Sequence, residues 1–324
     1  MTFPVIGSAV ALLVSAGAIS AATVPAVPMG ATGYALGNNG QTLVTMTNLN
    51  MPGSASGMTI KSDAGVTMKM SSLAFRPKTR ELYGYSDSTD TVYLVNPMTG
   101  IATAVVTAAA ENRTSVEALG FDFNNVLDAA RIVTTADENR VFFPNNSPPT
   151  IAGEANMIMP LAYAEGDVNF GADPSIFANA YTNAVANPTT NIQFVLDSEL
   201  DTLATLANNT GLLTTIGQIW FNGSVLDFTE VGGFDILSIM EGSNQALALL
   251  STGFSTGLYE LDLFANGMGY VNASLIGYAG AEFGALDGFA VASPAPVPLP
   301  AGVVLLGSAL AGAGFFARRR KSLA

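Results

Sequence analysis

Short β-rich runs separated by turn residues recur along this chain, and this pattern restricts its fold more than any other feature. The runs include LVTM, ELYGY, TVYLV, ATAVV, RIVTT, IQFVL and GLYELDL. Clusters of Gly, Asn, Asp and Pro separate them at intervals of roughly ten residues, a spacing typical of proteins built from many short strands. No long charged segment shows the 3.6-residue period of a surface helix. The sequence therefore predicts an all-β fold.

A longer repeat groups these runs into units of four strands. One unit opens at residues 72–77 and continues through residues 82–85, 92–95 and 102–106. Further units open at residues 119–123, 178–182 and 233–236. A period of about 45–55 residues with four strands is typical of the blades of a β-propeller.

The two ends of the repeat region predict how the ring closes. Residues 286–291 have the form of an opening strand, but the chain then runs into a proline-rich segment. The first unit, from residue 33 to residue 45, lacks an opening strand. Pairing the last strand with the first unit would remove two exposed edges. We therefore predict a five-bladed propeller over residues 30–292, with a six-bladed ring or a pair of β-sandwiches as the alternative.

Several stretches of this region are similar to a known family. The segments that carry the similarity are residues 73–105, 119–134, 165–173, 180–183 and 233–236. The first reads LAFRPKTRELYGYSDSTDTVYLVNPMTGIATAV and the third reads EGDVNFGAD. They resemble an uncharacterised bacterial family, domain of unknown function 4394, which is thought to be propeller-like. The resemblance implies a fold and no established activity.

The chain contains no cysteine and no histidine, and each absence excludes a class of chemistry. Without Cys there is no disulfide framework and no thiolate nucleophile. Without His there is no Ser-His-Asp triad, no imidazole base and no ordinary zinc site. Any catalysis must rest on carboxylates, hydroxyls, Lys or an oxygen-ligated metal. This favours a non-enzymatic role over an enzyme.

Acidic residues dominate the predicted propeller. All 25 Asp and Glu residues lie between Asp63 and Asp287, whereas four of the 12 basic residues lie in the C-terminal tail. A negative body of this kind repels nucleic acid, so we expect no nucleic-acid partner. Solubility in salty surroundings explains the charge more simply than a specific cation partner does.

The N-terminal 22 residues have the character of a secretory signal peptide. Residues 5–22 form an apolar run of small and branched side chains that ends in Ser-Ala-Ala. Small residues at alternate positions suit cleavage after Ala22, and the segment predicts export through the Sec translocon. No Lys or Arg precedes the run, which is unusual for such a peptide.

The C-terminus combines three segments that predict a membrane helix. Residues 293–300 are rich in proline and suit an extended linker. Residues 301–317 carry no charge and are just long enough to span a bilayer. Residues 318–324 form a basic tail that begins with Arg318, Arg319, Arg320 and Lys321. Basic clusters stay on the cytoplasmic side, so the propeller is expected outside the inner membrane.

This end resembles the PEP-CTERM sorting signal of Gram-negative bacteria. The matching motif is Val297, Pro298, Leu299, Pro300 and Ala301. The resemblance implies an exosortase that removes the tail, so that an inner-membrane intermediate becomes a cell-surface or extracellular protein. Leu299 stands where the commonest pattern has Glu. A permanent C-terminal membrane anchor is the alternative.

Three aspartates are candidates for a site in the central channel. Asp122 and Asp235 belong to repeated Phe-Asp motifs, and Asp287 opens the predicted closing strand. Inner strands of a propeller border the channel, where a ligand or metal could meet these carboxylates. The alternative, which we favour, is that they cap turns or tie blades together through hydrogen bonds to the backbone.

One loop has the composition of a calcium site. Its oxygen-bearing side chains are Glu165, Asp167, Asn169 and Asp173, separated by glycines and small residues. Calcium takes six to eight oxygen ligands from flexible loops, and this spacing could supply several. The loop does not match the EF-hand pattern, and a solvated turn rich in Asp and Asn is the favoured interpretation.

Basic and aromatic residues offer a weaker indication of an extracellular polysaccharide partner. The basic side chains are Arg76, Lys78, Arg80, Arg131 and Arg140. They could bind an acidic polysaccharide, although pairing with the surplus carboxylates is favoured. Trp220 and Phe221 could stack on a sugar, although packing between blades is the commoner role of such pairs.

Two classes of function fit these observations. The first is an exported, non-enzymatic propeller that serves as a scaffold or binding module at the cell surface or in the extracellular matrix. The second is a calcium-dependent hydrolase or a lactonase-like propeller enzyme that uses channel carboxylates. The two differ in whether Asp122, Asp235 and Asp287 converge on one point.

Overall fold

The structure is a computed structural model. It describes residues 26–107, 114–116, 118–144, 156–157, 159–253 and 255–295. The predicted signal peptide with its cleavage residue Ala22, the sorting motif at 297–301, the membrane helix at 301–317 and the basic cluster at 318–321 lie outside the described residues.

The described residues form 23 β-strands and three short 3-10 turns, which confirms the all-β prediction. The turns lie at Pro52–Ser54, Asp87–Thr89 and Ala281–Phe283. The strands, in chain order, are β1 (Thr32–Gly37), β2 (Thr42–Met46), β3 (Ser56–Thr59), β4 (Lys61–Ser62), β5 (Ser72–Arg76), β6 (Glu81–Ser86), β7 (Thr91–Val95), β8 (Ile101–Thr107), β9 (Leu119–Asn124), β10 (Ala129–Thr134), β11 (Asn139–Phe142), β12 (Asn156–Met157), β13 (Ala162–Tyr163), β14 (Ile176–Tyr181), β15 (Gln193–Asp197), β16 (Thr202–Ala207), β17 (Leu212–Phe221), β18 (Ser224–Val225), β19 (Gly232–Met240), β20 (Ser243–Ser251), β21 (Thr256–Leu261), β22 (Val271–Tyr278) and β23 (Asp287–Ala292).

These strands assemble into antiparallel meanders of the kind that the repeat predicts. From the inner strand outward they run β5-β6-β7-β8, β9-β10-β11-β12, β14-β15-β16-β17, β19-β20-β21-β22 and β23-β1-β2-β3. The third and fourth of these join at their outer edges, because Ile219 of β17 and Val271 of β22 pair in parallel. Most turns between strands use the Gly, Asn or Asp residues that the sequence places there, several with positive φ; in the β5–β6 turn Arg80 takes the positive φ instead.

The inner strands form a closed cycle. Strand β23 packs against β5, β5 against β9, β9 against β14, β14 against β19, and β19 packs against β23 again. Meanders arranged radially around such a cycle give a propeller-like architecture. Apolar side chains fill the space between neighbouring meanders; for example, the ring of Tyr83 meets that of Phe123 edge-on at 5.2 Å.

The last strand closes the ring as the sequence predicts. Strand β23 pairs with β1 in antiparallel register, with Thr32 opposite Ala292 and Tyr34 opposite Ala290. The first meander therefore takes its inner strand from the opposite end of the chain. This pairing removes the edges that β1 and β23 would otherwise expose.

Glycine at two inner-strand positions allows the strands to approach closely. A Cβ atom at Gly120 would lie 2.6 Å from the backbone nitrogen of Asn179, and one at Gly233 would lie 2.3 Å from that of Phe289. Both distances are shorter than a carbon–nitrogen contact allows. The Gly-Phe pair that recurs in the opening motifs thus reflects packing around the axis.

The two ends of the inner strands define two faces of the ring. We call the face where the inner strands begin the upper face, and the face where they end the lower face. Residues 26–31 precede the lower end of β1, and residues 293–295 follow the lower end of β23. Both described ends of the chain therefore leave from the lower face. Across residues 26–107, 114–116, 118–144, 156–157, 159–253 and 255–295, no helix is both long and apolar enough to cross a bilayer.

Candidate functional site

A pocket with several polar side chains opens at the centre of the upper face, where four inner strands begin. We call it the mouth pocket; its volume is about 310 Å³. The loops before β5, β19 and β23 and the β1–β2 turn supply its walls. Its polar side chains are Asn38, Asn39, Lys69, Ser71, Glu230 and Asp287.

Asp287 is the titratable group deepest in the mouth pocket. Its Oδ1 accepts hydrogen bonds from the backbone N–H groups of Gly288 at 3.0 Å and Gly232 at 3.3 Å. Burial raises the pKa of Asp287 to about 7, and the charge of Glu230 adds to this, while Lys69 opposes it. Near neutral pH this carboxyl can therefore either donate or accept a hydrogen bond, which suits the recognition of a polar ligand.

Asp122 and Asp235 connect neighbouring inner strands. The backbone N–H of Tyr181 donates to Asp122 Oδ2 at 2.7 Å, and that of Val291 donates to Asp235 Oδ2 at 2.5 Å. The N–H of Ile236 also donates to Asp235 Oδ1 at 2.6 Å. Each carboxylate thus ties its own strand to the next strand around the ring. This arrangement is the one expected if the aspartates tie blades together rather than meet a ligand in the channel.

Burial governs the protonation of these two carboxyl groups. It raises the pKa of Asp235 to about 7, and it raises that of Asp122 well above its usual range, where the nearby charge of Asp235 adds to the effect. Both side chains are at least nine-tenths buried.

The three predicted channel aspartates do not converge on one point. Asp235 bonds to Val291, which lies four residues along β23 from Asp287, or about 13 Å at the rise of a β-strand. Asp122 and Asp235 therefore lie toward the lower part of the channel, and Asp287 lies at the upper end. Within the described ranges, no three Asp or Glu side chains are arranged to hold a metal ion.

The loop predicted as a calcium site folds back on strand β17. Asp167 accepts hydrogen bonds from the backbone N–H of Asn169 at 2.9 Å and from both the N–H and the hydroxyl of Thr215 at 2.7 Å. Asn169 Nδ2 also donates to the Thr215 hydroxyl at 2.9 Å. Hydrogen bonds to the carboxylate lower the pKa of Asp167. Two members of the set, Asp167 and Asn169, thus hold the loop in place.

Asp173, another member of that set, lies beside Asp137 on the upper face. Burial, the charge of Asp173 and a hydrogen bond with Asp173 together raise the pKa of Asp137 to about 6. The hydrogen bond requires that one of the two carboxyl groups keeps its proton.

We expect the protein to be less stable at pH 8 than at pH 5. Raised pKa values at Asp137, Asp235 and Asp287 mean that the folded chain holds protons that the unfolded chain has released above about pH 4. Stability then falls as pH rises from about 4 to 7. Asp137→Asn keeps a donor toward Asp173 and removes one titration, so it should raise Tm at pH 8 and leave it nearly unchanged at pH 5. A variant that lowers Tm equally at both pH values would contradict this explanation.

Three of the five basic candidates pair with carboxylates, whereas Arg80 and Arg131 donate to neutral oxygen atoms. Arg76 Nε and Nη2 contact the two carboxylate oxygens of Asp128 at 2.7 and 2.5 Å, and Lys78 Nζ lies 3.1 Å from the same carboxylate. Arg140 is fully buried against Asp90 at 2.6 Å. A separate basic surface for acidic polysaccharide therefore has little support at these positions.

The aromatic pair packs within the protein. Trp220 stacks on Tyr270 with ring centroids 4.5 Å apart, and Phe221 meets Tyr259 edge-on at 5.5 Å. Tyr259 belongs to the neighbouring meander, so Phe221 contributes to packing between meanders.

The sequence motifs indicate Asp287 but give no sign of Lys69 and Glu230 in the mouth pocket. Lys69 lies three residues before β5, and Glu230 lies two residues before β19. A polar residue just ahead of each opening motif is the signal that could have found them, because those positions gather around the start of the inner strands.

A known protein family matches the region of the chain that contains the four-stranded repeat. The family model described as "Domain of unknown function (DUF4394)" matches residues 42–277, well over half of the chain. The chain belongs to this family. The DUF4394 match covers the meanders from β2 to β22 and leaves out the closing strand β23. A search among curated proteins finds no match for this DUF4394 chain.

Solved structures with a similar backbone fold have low sequence identity to this chain. One is a structural genomics protein of unknown function from Bacteroides thetaiotaomicron VPI-5482, with 13% identity, a TM-score of 0.44, and coverage of 66% of this chain and 52% of that one. Another is a chain of a nidogen/laminin complex, with 13% identity, a TM-score of 0.45, and coverage of 81% and 98%. The DUF4394 chain thus spans about half the length of the first and nearly all of the second.

Proposed function

We propose that this DUF4394 protein is an exported, non-enzymatic binding module with a five-bladed propeller. In this proposal the Sec translocon exports the chain, exosortase removes its tail, and the propeller reaches the cell surface or the extracellular matrix of a Gram-negative bacterium. An extracellular polysaccharide is the proposed binding partner.

The blade count is supported by the cycle of inner strands. Five strands, β5, β9, β14, β19 and β23, each pack against two others in the cycle. A sixth blade would need another inner strand between two members of this cycle, but each neighbouring pair is already in contact.

The position of the two described ends is the observation that carries the proposal. The backbone N–H of Val27 donates to Asn50 Oδ1 at 2.8 Å, which fixes the N-terminal end against the lower face. A Cβ atom at Gly30 would lie 3.6 Å from Pro294, so the two ends run side by side. Arg80 Nη2 donates to the carbonyl of Ser293 at 2.7 Å. A tether that continues from residue 295 would hold the lower face toward the membrane and direct the mouth pocket away from it.

The backbone hydrogen bonds of Asp122 and Asp235 support a structural role for these two carboxylates rather than a catalytic one. Asp235 accepts backbone hydrogen bonds on both of its oxygens, and Asp122 accepts one from the next strand. A catalytic carboxylate needs an open side toward its substrate. These two residues instead tie neighbouring inner strands together.

Labelling of single cysteines tests the orientation of the tethered protein. Because the chain has no native Cys, one introduced at Glu199 on the upper face or at Met98 on the lower face is unique. Both positions are exposed. In spheroplasts of a host without exosortase, a maleimide on a large polymer should modify Glu199→Cys faster than Met98→Cys.

Two controls make this result specific. A small maleimide should modify both variants at similar rates, and the difference with the large reagent should vanish for a chain that ends at residue 295. Faster labelling of Met98→Cys by the large reagent would contradict the proposed orientation.

A further inference from the structure

The turns at the two faces of the ring differ in charge. On the lower face, the segments beside the inner strands carry two basic and two acidic residues; they are residues 26–31, 77–80, 125–128, 182–192 and 241–242. On the upper face, the turns between the second and third strands of the five meanders carry six acidic residues and no basic one; they are residues 38–41, 87–90, 135–138, 198–201 and 252–255. The lower turns are therefore neutral as a set, and the upper turns are acidic.

Exposed apolar side chains show the opposite distribution. Five of them lie where β9 and β19 end and where β15 begins, and each is between 43% and 64% exposed. We call this set the lower patch; it consists of Val126, Leu127, Ile192, Ile239 and Met240. The upper turns at 38–41, 87–90, 135–138 and 198–201 hold no large apolar side chain that is exposed to this extent. Exposed apolar side chains gathered on one face indicate an interaction surface.

Hydrogen bonds join the three turns that carry the lower patch. Asn191 Nδ2 donates to Asn124 Oδ1 at 2.8 Å, which links the β14–β15 loop to the end of β9. The backbone N–H of Ala184 donates to Ser238 Oγ at 2.9 Å, which links the same loop to the end of β19. The five apolar side chains therefore belong to one continuous surface, which is formed before it meets a partner.

The end of the described chain indicates which partner this surface meets. Residue 295 leaves from the lower face, and the predicted membrane helix begins at residue 301. A fully extended chain covers roughly 20 Å at most between these two residues. So short a tether holds the lower patch close to the bilayer, and its high effective concentration makes a weak contact sufficient.

We propose that the lower patch rests on the phospholipid bilayer, with its five apolar side chains inserted among the lipid headgroups. Apolar side chains at a membrane surface reach about 5–10 Å into the boundary between headgroups and acyl chains. Turns that are neutral as a set approach an anionic lipid surface without net repulsion, whereas the acidic upper turns are repelled by it. Charge and apolar exposure therefore favour the same orientation.

This inference rests on the membrane helix of the proposed function and adds to it a direct contact between propeller and lipid. A tether alone would keep the propeller near the membrane without burying the lower patch. Flotation of the protein with lipid vesicles tests the helix, and quenching by labelled lipid tests the contact. Failure of one is therefore distinguishable from failure of the other.

Quenching by nitroxide lipid is measured on the full-length chain, reconstituted into vesicles of phosphatidylethanolamine and phosphatidylglycerol. Because the chain has no native Cys, a fluorophore attached to Leu127→Cys or Ile192→Cys occupies a single site. Both should lose most of their emission when the vesicles contain a lipid with a nitroxide just below its headgroup. Phe170→Cys is the matched control, since Phe170 is 62% exposed but lies in the loop that leads to the upper end of β14. Its emission should be retained.

Charged substitutions separate insertion from mere proximity. Leu127→Glu combined with Met240→Glu should abolish the quenching at Ile192→Cys, and Phe170→Glu should leave it unchanged. These positions are exposed, so Tm should change little. Every variant should float with the vesicles, because the helix is unaltered.

Three results would overturn the lipid contact and leave the tether intact. They are equal quenching at all three labelled sites, quenching at Ile192→Cys that survives the double substitution, and absence of quenching in a chain that floats. A chain that does not float would overturn both the proposed membrane helix and this inference.

Discussion

A chain that ends at residue 286 is expected to lose cooperative folding, whereas one that ends at residue 295 should melt in a single transition. The difference between them is strand β23, which supplies the inner strand of the first meander and fills the gap between β19 and β5. Phe289 and Val291 of this strand are buried. Burying side chains of this size contributes about 1.5–3 kcal/mol each.

The loss of β23 also has consequences beyond its own side chains. Truncation exposes the edge of β1 and removes the backbone donor that satisfies Asp235. The total approaches the 5–15 kcal/mol that typically separates folded from unfolded domains. Circular dichroism during heating measures the outcome. A sharp transition in the chain that ends at residue 286 would show that β23 is dispensable for the ring.

Replacement of Arg140 by Met is expected to lower the free energy of unfolding by about 3–5 kcal/mol, the usual cost of breaking a buried ion pair. The Arg140 side chain is 0% exposed. Its Nη2 donates to Asp90 at 2.6 Å, its Nη1 donates to the Tyr85 hydroxyl at 3.0 Å, and Nη1 lies 3.6 Å from Glu138. Methionine carries no positive charge, so the largely buried carboxylates of Asp90 and Glu138 would lose the cation beside them.

Lys78→Met provides the matched control for this variant. Lys78 also pairs with a carboxylate, that of Asp128, but its side chain is 46% exposed. Pairs in contact with solvent contribute about 0–1 kcal/mol. Urea unfolding should therefore separate the two variants clearly. Equal destabilisation by both would contradict the importance that we assign to burial at Arg140.

Much of the fold could be predicted from the sequence because turn residues mark the ends of the repeated strands. The runs ELYGY and TVYLV became β6 and β7, and Asp90 in the turn between them adopts the positive φ that favours Asn, Asp and Gly. The pairing of β23 with β1 followed from counting opening strands. Short pairings such as β4 with β8 and β13 with β17 were not predicted, because two-residue strands leave no periodicity to detect.

The candidate sites were harder to predict from the sequence than the fold was. The Phe-Asp motifs marked Asp122 and Asp235 correctly as inner-strand residues, but their partners lie on neighbouring strands more than 50 residues away. The spacing of residues along the chain does not show which residues so far apart in sequence lie close together in space. The mouth pocket combines Lys69, Glu230 and Asp287 from three loops, and only Asp287 belongs to a motif that the sequence shows. The ring brings them together, so only the structure could identify the pocket.

The mass of the mature protein recovered from outside its host's cells tests the central claim most directly. We expect a chain that begins after Ala22, ends within or before the motif Val297–Ala301 and lacks the basic cluster at 318–321. Peptide mapping of both ends by mass spectrometry measures this. A mature protein that keeps Arg318, Arg319 and Arg320 would contradict processing by exosortase and indicate a permanent anchor instead.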